Sequence, residues 1–214
     1  LFTAQNEGVK LFLTANGIHY QFTRLHYKKE DAPNNAISDS QISKAPVAEP
    51  GRIERQETYR LDVELIGSNP QPIVQVLDEG PDTENFFLSH CPNGITGVHN
   101  YGKIVLKDVY PGIDWVLYTK GGILEHDFVA GSGANTSDIK IAYKGAEKMY
   151  LDTEGNLQIS TPLGSITEKA PYSFETGGKK LETRYLLNGT TLGFDVEASA
   201  PGTILTIDPG VEWA

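Results

Sequence analysis

Tyr110-Pro-Gly-Ile-Asp-Trp-Val-Leu-Tyr-Thr-Lys-Gly-Gly-Ile-Leu-Glu-His-Asp-Phe-Val129 reads as two strands and a turn. Ile113 to Tyr118 and Ile123 to Val129 are rich in β-branched and aromatic residues. Thr119-Lys120-Gly121-Gly122 between them is the kind of short glycine-containing connection that closes an antiparallel pair. A loop of that length sets Tyr118 opposite Ile123, Val116 opposite Glu125 and Asp114 opposite Asp127. Three carboxylates then share one face of the hairpin.

The rest of the chain has the same texture. It holds 22 Gly, 12 Pro and 10 Tyr against a single Met, and helical periodicity is nearly absent. The expectation is an all-β protein. The segment Ser137 to Lys148, the best candidate for a helix, places Ile139, Ile141 and Tyr143 at a period of two and reads as strand instead. Turn signals recur about every ten residues over short strands, the signature of an antiparallel β-sandwich or two stacked β lobes.

Taken from the start, Leu1-Phe-Thr-Ala4 opens inside a strand-like run, which implies further residues upstream. Turns at Gln5 to Gly8 and at Ala15-Asn16-Gly17 flank a strand from Val9 to Thr14, and Ile18 to Tyr27 is the next. From Lys28 to Glu57 the composition turns to Asp, Asn, Ser, Gln, Pro and Lys, with too little apolar surface to offset ordering entropy, so a long exposed loop is expected over 28–57. Thr58 to Ile66 alternates cleanly. Two short strands follow, Pro72 to Leu77 and Glu84 to Leu88, around a turn at Asp78 to Asp82. His90 to Asn100 reads as a glycine-containing loop before Tyr101 to Leu106. These divisions suggest an N-terminal β lobe over 1–100 and a C-terminal β lobe over 101–214, or one continuous module.

At 214 residues the chain can bury a sizeable core unaided, and its single Cys91 offers neither an internal disulfide nor a metal cluster. Cys91 precedes Pro92-Asn93-Gly94 and reads as a half-buried side chain. The net charge of -10 comes from 28 acids against 18 scattered Lys and Arg, which argues against nucleic acid and against an anionic membrane surface. No apolar run approaches the roughly 18 residues of a membrane helix, and no signal-peptide pattern opens the chain.

Asp108-Val-Tyr-Pro-Gly-Ile-Asp-Trp-Val-Leu-Tyr118, Leu124-Glu-His-Asp-Phe-Val-Ala130 and Gly133-Ala-Asn-Thr-Ser-Asp-Ile139 together resemble the module that precedes the repeats of SBBP-repeat and gliding-motility-associated surface proteins, common in Bacteroidetes. The likeness continues through Tyr143-Lys-Gly-Ala146, Leu151-Asp-Thr-Glu-Gly-Asn-Leu157, Thr161-Pro-Leu-Gly164, Glu168-Lys-Ala-Pro171 and Ile207-Asp-Pro209. It is looser in the first hundred residues, where Leu11-Phe-Leu-Thr-Ala-Asn-Gly17 and Asn85-Phe-Phe-Leu88 carry it. His126 departs from the Tyr that this resemblance leads one to expect. The resemblance implies a secreted or cell-surface location, export by a signal peptide absent from this chain, and no catalysis. It also implies a C-terminal β-propeller on the same polypeptide as the natural neighbour, with surface glycans or other surface proteins as partners.

Asp114, Glu125 and Asp127 are the candidate ligands for a metal, and calcium suits oxygen donors from adjacent strands. The alternative is a cation from the protein, Lys103 or Arg184, lying over the same face. Paired carboxylates also raise glycoside hydrolysis, which needs a separation of about 5 to 9.5 Å. Trp115, Tyr118, Tyr110 and Tyr101 form either a sugar-stacking platform or, since Trp115 shares a face with Ile113 and Leu117, part of the core. His19, His26, His90, His99 and His126 show no metal-binding spacing. The sequons at Asn135 and Asn188 lie in turns where Asn is expected anyway. The expected function is a non-catalytic structural or adhesive module. A carbohydrate-binding module assisted by calcium is the alternative, and a glycoside hydrolase stands behind both.

Overall fold

Alternating apolar residues specify strands, and in this protein the pairing partners set how far each strand runs. The computed structural model describes residues 2–6, 9–28, 53–88, 91–121 and 123–213. The chain begins with β1 (Phe2–Asn6), β2 (Val9–Leu13), β3 (Gly17–Tyr27) and β4 (Ile53–Leu65). Two hairpins follow, β5 (Ile73–Leu88) with β6 (Cys91–Tyr110), then β7 (Ile113–Lys120) with β8 (Ile123–Ala130). The C-terminal half supplies β9 (Ile141–Lys144), β10 (Lys148–Leu151), β11 (Leu157–Thr161), β12 (Gly164–Glu168) and β13 (Tyr172–Glu175). It closes with β14 (Lys180–Leu181), β15 (Thr183–Asn188), β16 (Thr191–Val196), β17 (Leu205–Asp208) and β18 (Val211–Trp213).

Two seven-stranded antiparallel sheets dominate. One has the order β1-β2-β3-β4-β9-β16-β15 and the other β14-β13-β17-β8-β7-β6-β5. A four-stranded sheet, β10-β11-β12-β18, completes the fold. The only helical feature among the described residues is a single 3-10 turn, Thr136–Asp138, whose N-cap Asn135 accepts from the Ser137 N–H. The protein is all-β as expected. Among the described residues no helix is long and apolar enough to cross a membrane.

Buried side chains of all three sheets form one continuous core. Inward residues of β7 and β8 (Ile113, Trp115, Leu117, Phe128, Ala130) join Tyr20, Leu61, Ile141, Tyr143, Leu192 and Phe194 from the first large sheet. Phe128 meets Phe194 edge to face across the sandwich, ring centroids 5.9 Å apart, and stacks on Trp115 at 6.0 Å. Such aromatic contacts add about 0.5 to 1.5 kcal/mol each beyond the area they bury. Ile159, Ile166 and Val211 bring the small sheet onto the same core. Polar caps fasten the layers: Tyr110 Oη lies 3.1 Å from the carbonyls of both Ile66 and Lys140, which share its single proton, and Tyr185 Oη donates to the carbonyl of Lys169.

Several expectations change. The hairpin connection is only residues 121 and 122, because the strands continue through Thr119 and Lys120. The register therefore slips by two: Tyr118 faces Glu125, Val116 faces Asp127, and Asp114 faces Val129. An even slip keeps every side chain on its expected face but separates Asp114 from Asp127. The loop expected over 28–57 falls mainly outside the described residues, and its end, from Ile53, is strand paired with β3, where Glu57 bridges Arg55 and His26. The turn at 78–82 and the loop at 90–100 are not separate connections. Both are absorbed into one long hairpin, with Asp78 at φ 56 and register shifts between Glu79 and Thr83 and beyond Glu84 taking up the irregularity. A lobe boundary at residue 100 would cut β6, and both large sheets draw strands from either side of it.

Candidate functional site

The hairpin that carries the predicted metal ligands sits in the middle of its sheet, flanked by β6 and β17. Asp114, Glu125 and Asp127 lie on the face turned away from Trp115 and Phe128, as their pairing parity requires. Each serves a different partner. Asp114 pairs with Lys107 and accepts from the Asp108 N–H at 3.0 Å. Asp108 holds φ 53, a left-handed conformation that costs a non-glycine residue about 1 to 2 kcal/mol. Asp114 thus pins the bulge that precedes the Pro111-Gly112 turn. Glu125 accepts from the Val211 N–H at 3.0 Å and so ties the small sheet to this one.

Asp127 accepts from Tyr118 Oη at 3.2 Å. Its burial and the neighbouring Asp208 push its carboxyl up to about 6, opposed by the Tyr118 hydrogen bond and Lys103. Burial also raises Asp208, with Lys120 acting against it. The cation expected over this face is therefore lysine, Lys107 at Asp114 and Lys103 near Asp127, whereas Arg184 is engaged with Asp195. Among the described residues no group of three or more His, Cys, Asp or Glu side chains is placed to hold a metal ion. The hairpin carboxylates are positioned as structural acceptors, with Asp127 the one whose charge is least settled at neutral pH.

The proposed aromatic platform divides. Trp115 is 1 % exposed and Tyr110 is buried, so both are core, while Tyr101 and Tyr118 are half-buried. Trp115 Nε1 donates to Nδ1 of His126 at 3.2 Å. His126 is itself buried, and desolvation lowers it to about 4, which keeps the ring neutral and able to accept. Its departure from the expected Tyr places a polar acceptor where the indole N–H needs one. Sequence reading gave His126 no role because the partner is reached only through cross-strand geometry.

A second buried polar cluster escaped the sequence entirely. Glu168 at the end of β12 is 3 % exposed, and its Oε1 accepts from Tyr143 Oη at 2.6 Å. Its Oε2 is buried with no protein hydrogen-bond partner. Burial lifts this carboxyl to about 7, against the pull of the Tyr143 hydrogen bond. Desolvation, with Glu168 nearby, raises Tyr20, Tyr143 and Tyr185 as well. Three tyrosines and a glutamate thus meet where the small sheet covers the sandwich. In the sequence, Glu168-Lys-Ala-Pro171 stands out only as part of the family resemblance, and nothing in it marks Glu168 as buried.

The sandwich also holds an apolar cavity of about 70 Å³, lined mainly by Phe2, Leu11, Leu13, Ile18, Leu117 and Leu124. That is well below the roughly 300 Å³ at which small-molecule sites begin. Two open surface clefts reach that size, about 390 Å³ between Glu182–Arg184 and Asp195–Glu197 and about 380 Å³ between Ser132–Thr136 and Val196–Pro201. Exposed apolar side chains gather elsewhere. Among the described residues, seven of the fifteen exposed large hydrophobics lie on the β5–β6 hairpin: Ile73, Val74, Val76, Leu77, Phe86, Phe87 and Ile95. β6 pairs with β7 only over residues 103–110, so the remainder of the hairpin extends beyond its sheet as an arm. Phe87, 75 % exposed, lies over Gly94, where a Cβ would come within 2.8 Å of its ring and where φ is +69.

A family model described as "Domain of unknown function (DUF7948)" matches residues 1–210. No curated protein and no solved structure matches the chain.

Proposed function

The chain belongs to the DUF7948 family, and we propose that it is a non-catalytic structural or adhesive module of a larger secreted or cell-surface protein. The observation that carries this reading is a division of labour. Glu168, His126 and Tyr143 are strongly shifted but sealed in the core, and the half-buried Asp127, raised as well, is held by Tyr118 Oη, while the β5–β6 hairpin holds apolar side chains out to solvent. Catalysis needs shifted groups in an accessible cleft. Adhesion needs exposed apolar contact surface on a rigid base. The sequence resemblance to modules preceding surface-protein repeats supports the same reading and supplies the neighbour, a β-propeller on the same polypeptide.

The test is a screen of nitrophenyl glycosides and esters across mildly acidic to mildly alkaline pH. No release above buffer is expected. Release that disappears in Asp127→Asn would replace this reading with a hydrolase acting through the half-buried, raised carboxyl on the hairpin.

A further inference from the structure

The two edges of the arm-bearing sheet are built differently. At one edge β14 is only two residues long, and Lys180 lies over the Tyr172 ring at 5.1 Å. At the other, β5 runs for 16 residues and, among the described residues, pairs on one side only. Proteins blunt such edges with lysine, proline, bulges or brevity, because unpaired backbone N–H and C=O groups template further strands. Within β5 those devices begin at Asp78, with its positive φ, the register shift after Glu79, and Pro81. The preceding run, Ile73-Val-Gln-Val-Leu77, has none of them. It is uncharged, alternates apolar side chains on both faces, and leaves Ile73 68 % and Val76 38 % exposed.

Charge distinguishes between occupants. Residues 73–102 carry Asp78, Glu79, Asp82 and Glu84 and no Lys or Arg, with His99 beside Glu79 at 2.6 Å. A second copy would bring the same four acids and its own net charge of -10 to the contact. Lys107 and Lys103, opposite Ile73 and Leu77, are occupied at Asp114 and near Asp127. Beyond Leu77, therefore, an extended segment bearing Lys or Arg would meet complementary charge instead.

We propose that β5 is a docking edge for an extended, cationic segment of another protein, which adds as a strand along Ile73–Leu77 and sets Lys or Arg side chains against Asp78, Asp82 and Glu84. Backbone hydrogen bonds to the free edge supply affinity, and the apolar run followed by acids supplies selectivity. This rests on the adhesive reading above and names the chemistry of its partner.

The probes are two synthetic peptides of about a dozen residues, long enough to lie along an edge strand. One alternates Val and Thr and then Lys and Thr; the other has Glu in place of each Lys. Fluorescence anisotropy should show the Lys peptide binding at least about tenfold tighter than the Glu peptide, a preference that fades as salt is raised. Val76→Lys should weaken the Lys peptide by about tenfold or more with the melting temperature unchanged, and Asp82→Lys should narrow the preference between the peptides. Equal binding of the two peptides, or none by either, overturns the proposal while leaving the absence of turnover as a separate result. Two further outcomes also overturn it. A free protein that sediments as a dimer and dissociates with Val76→Lys gives the edge to a second copy. Hydrogen exchange that finds every amide of Ile73–Leu77 slow in the free monomer, rather than alternate ones, means the chain already covers it.

Discussion

Two hairpins of one sheet, β5–β6 and β7–β8, carry comparable alternation and meet opposite fates. The inward residues of β7–β8 lie under the facing sheet, so Ile113, Trp115, Leu117 and Phe128 are buried. On β5, Ile73–Leu77 form the outer edge beside Lys103–Lys107, and the rest of the β5–β6 hairpin runs past the end of β7, so apolar side chains of the same type stay in solvent. Alternation specifies a strand with two faces; a neighbour decides whether either face becomes core. The same contrast holds for polar groups. Burial shifts both Glu168 and His126 toward their neutral forms, while the arm keeps its four acids exposed.

The comparison breaks hardest at Trp115. Trp115→Ala removes the largest fully buried side chain and leaves His126 Nδ1 without its donor, so a loss of about 3 to 5 kcal/mol is expected in urea unfolding. A loss under about 1 kcal/mol would mean that the sandwich interior repacks as freely as the arm.

Glu168 sharpens the polar side of the contrast. Its folded pKa is raised from 4.5 to about 7, so the folded state binds the proton more tightly. The resulting stability is fully present below pH 4.5 and is lost as pH rises through 7, by roughly 3 kcal/mol. His126 runs the other way. Its pKa is lowered from 6.5 to about 4, so its contribution is present above pH 6.5 and is lost as pH falls through 4. In the native protein the two slopes largely cancel over the interval they share. Glu168→Gln removes one of them. The stability of the variant relative to the native protein should therefore rise by roughly 3 kcal/mol between pH 4.5 and 7. A difference that stays flat with pH would place the Glu168 carboxyl in water rather than in the core.

The smallest effect belongs to the arm. Phe87→Ser should change unfolding free energy by no more than about 0.5 kcal/mol, since the ring is exposed. Retention on a hydrophobic-interaction column should nonetheless fall clearly. A large stability loss would mean that the arm tip is packed rather than presented.

Much of the β7–β8 hairpin was legible because its turn glycines and alternation agree, yet its register was not. A four-residue and a two-residue connection use the same letters, and only continued pairing of Thr119 and Lys120 separates them. The arm was less legible. Asp78-Glu-Gly-Pro-Asp82 and the glycines at 94 and 97 carry turn chemistry, but in the fold they are bulges inside one long pair. The three hairpin carboxylates were found as residues and as a face, while their partners, the Lys107 ammonium, the Val211 N–H and the Tyr118 hydroxyl, lie on other strands or across the pair.

By itself the sequence determined the chemistry of each segment: strands from β-branched and aromatic alternation, bends from Gly, Pro, Asn and Asp, and an acidic surface from a net charge of -10. Those properties reside in single residues and their immediate neighbours. The tertiary structure alone decided that Trp115 finds His126, that Glu168 is buried against Tyr143, and that β5 ends its sheet with one side unpaired among the described residues. Each depends on which strands become neighbours across tens of residues, and cooperative burial settles that only when the whole core closes.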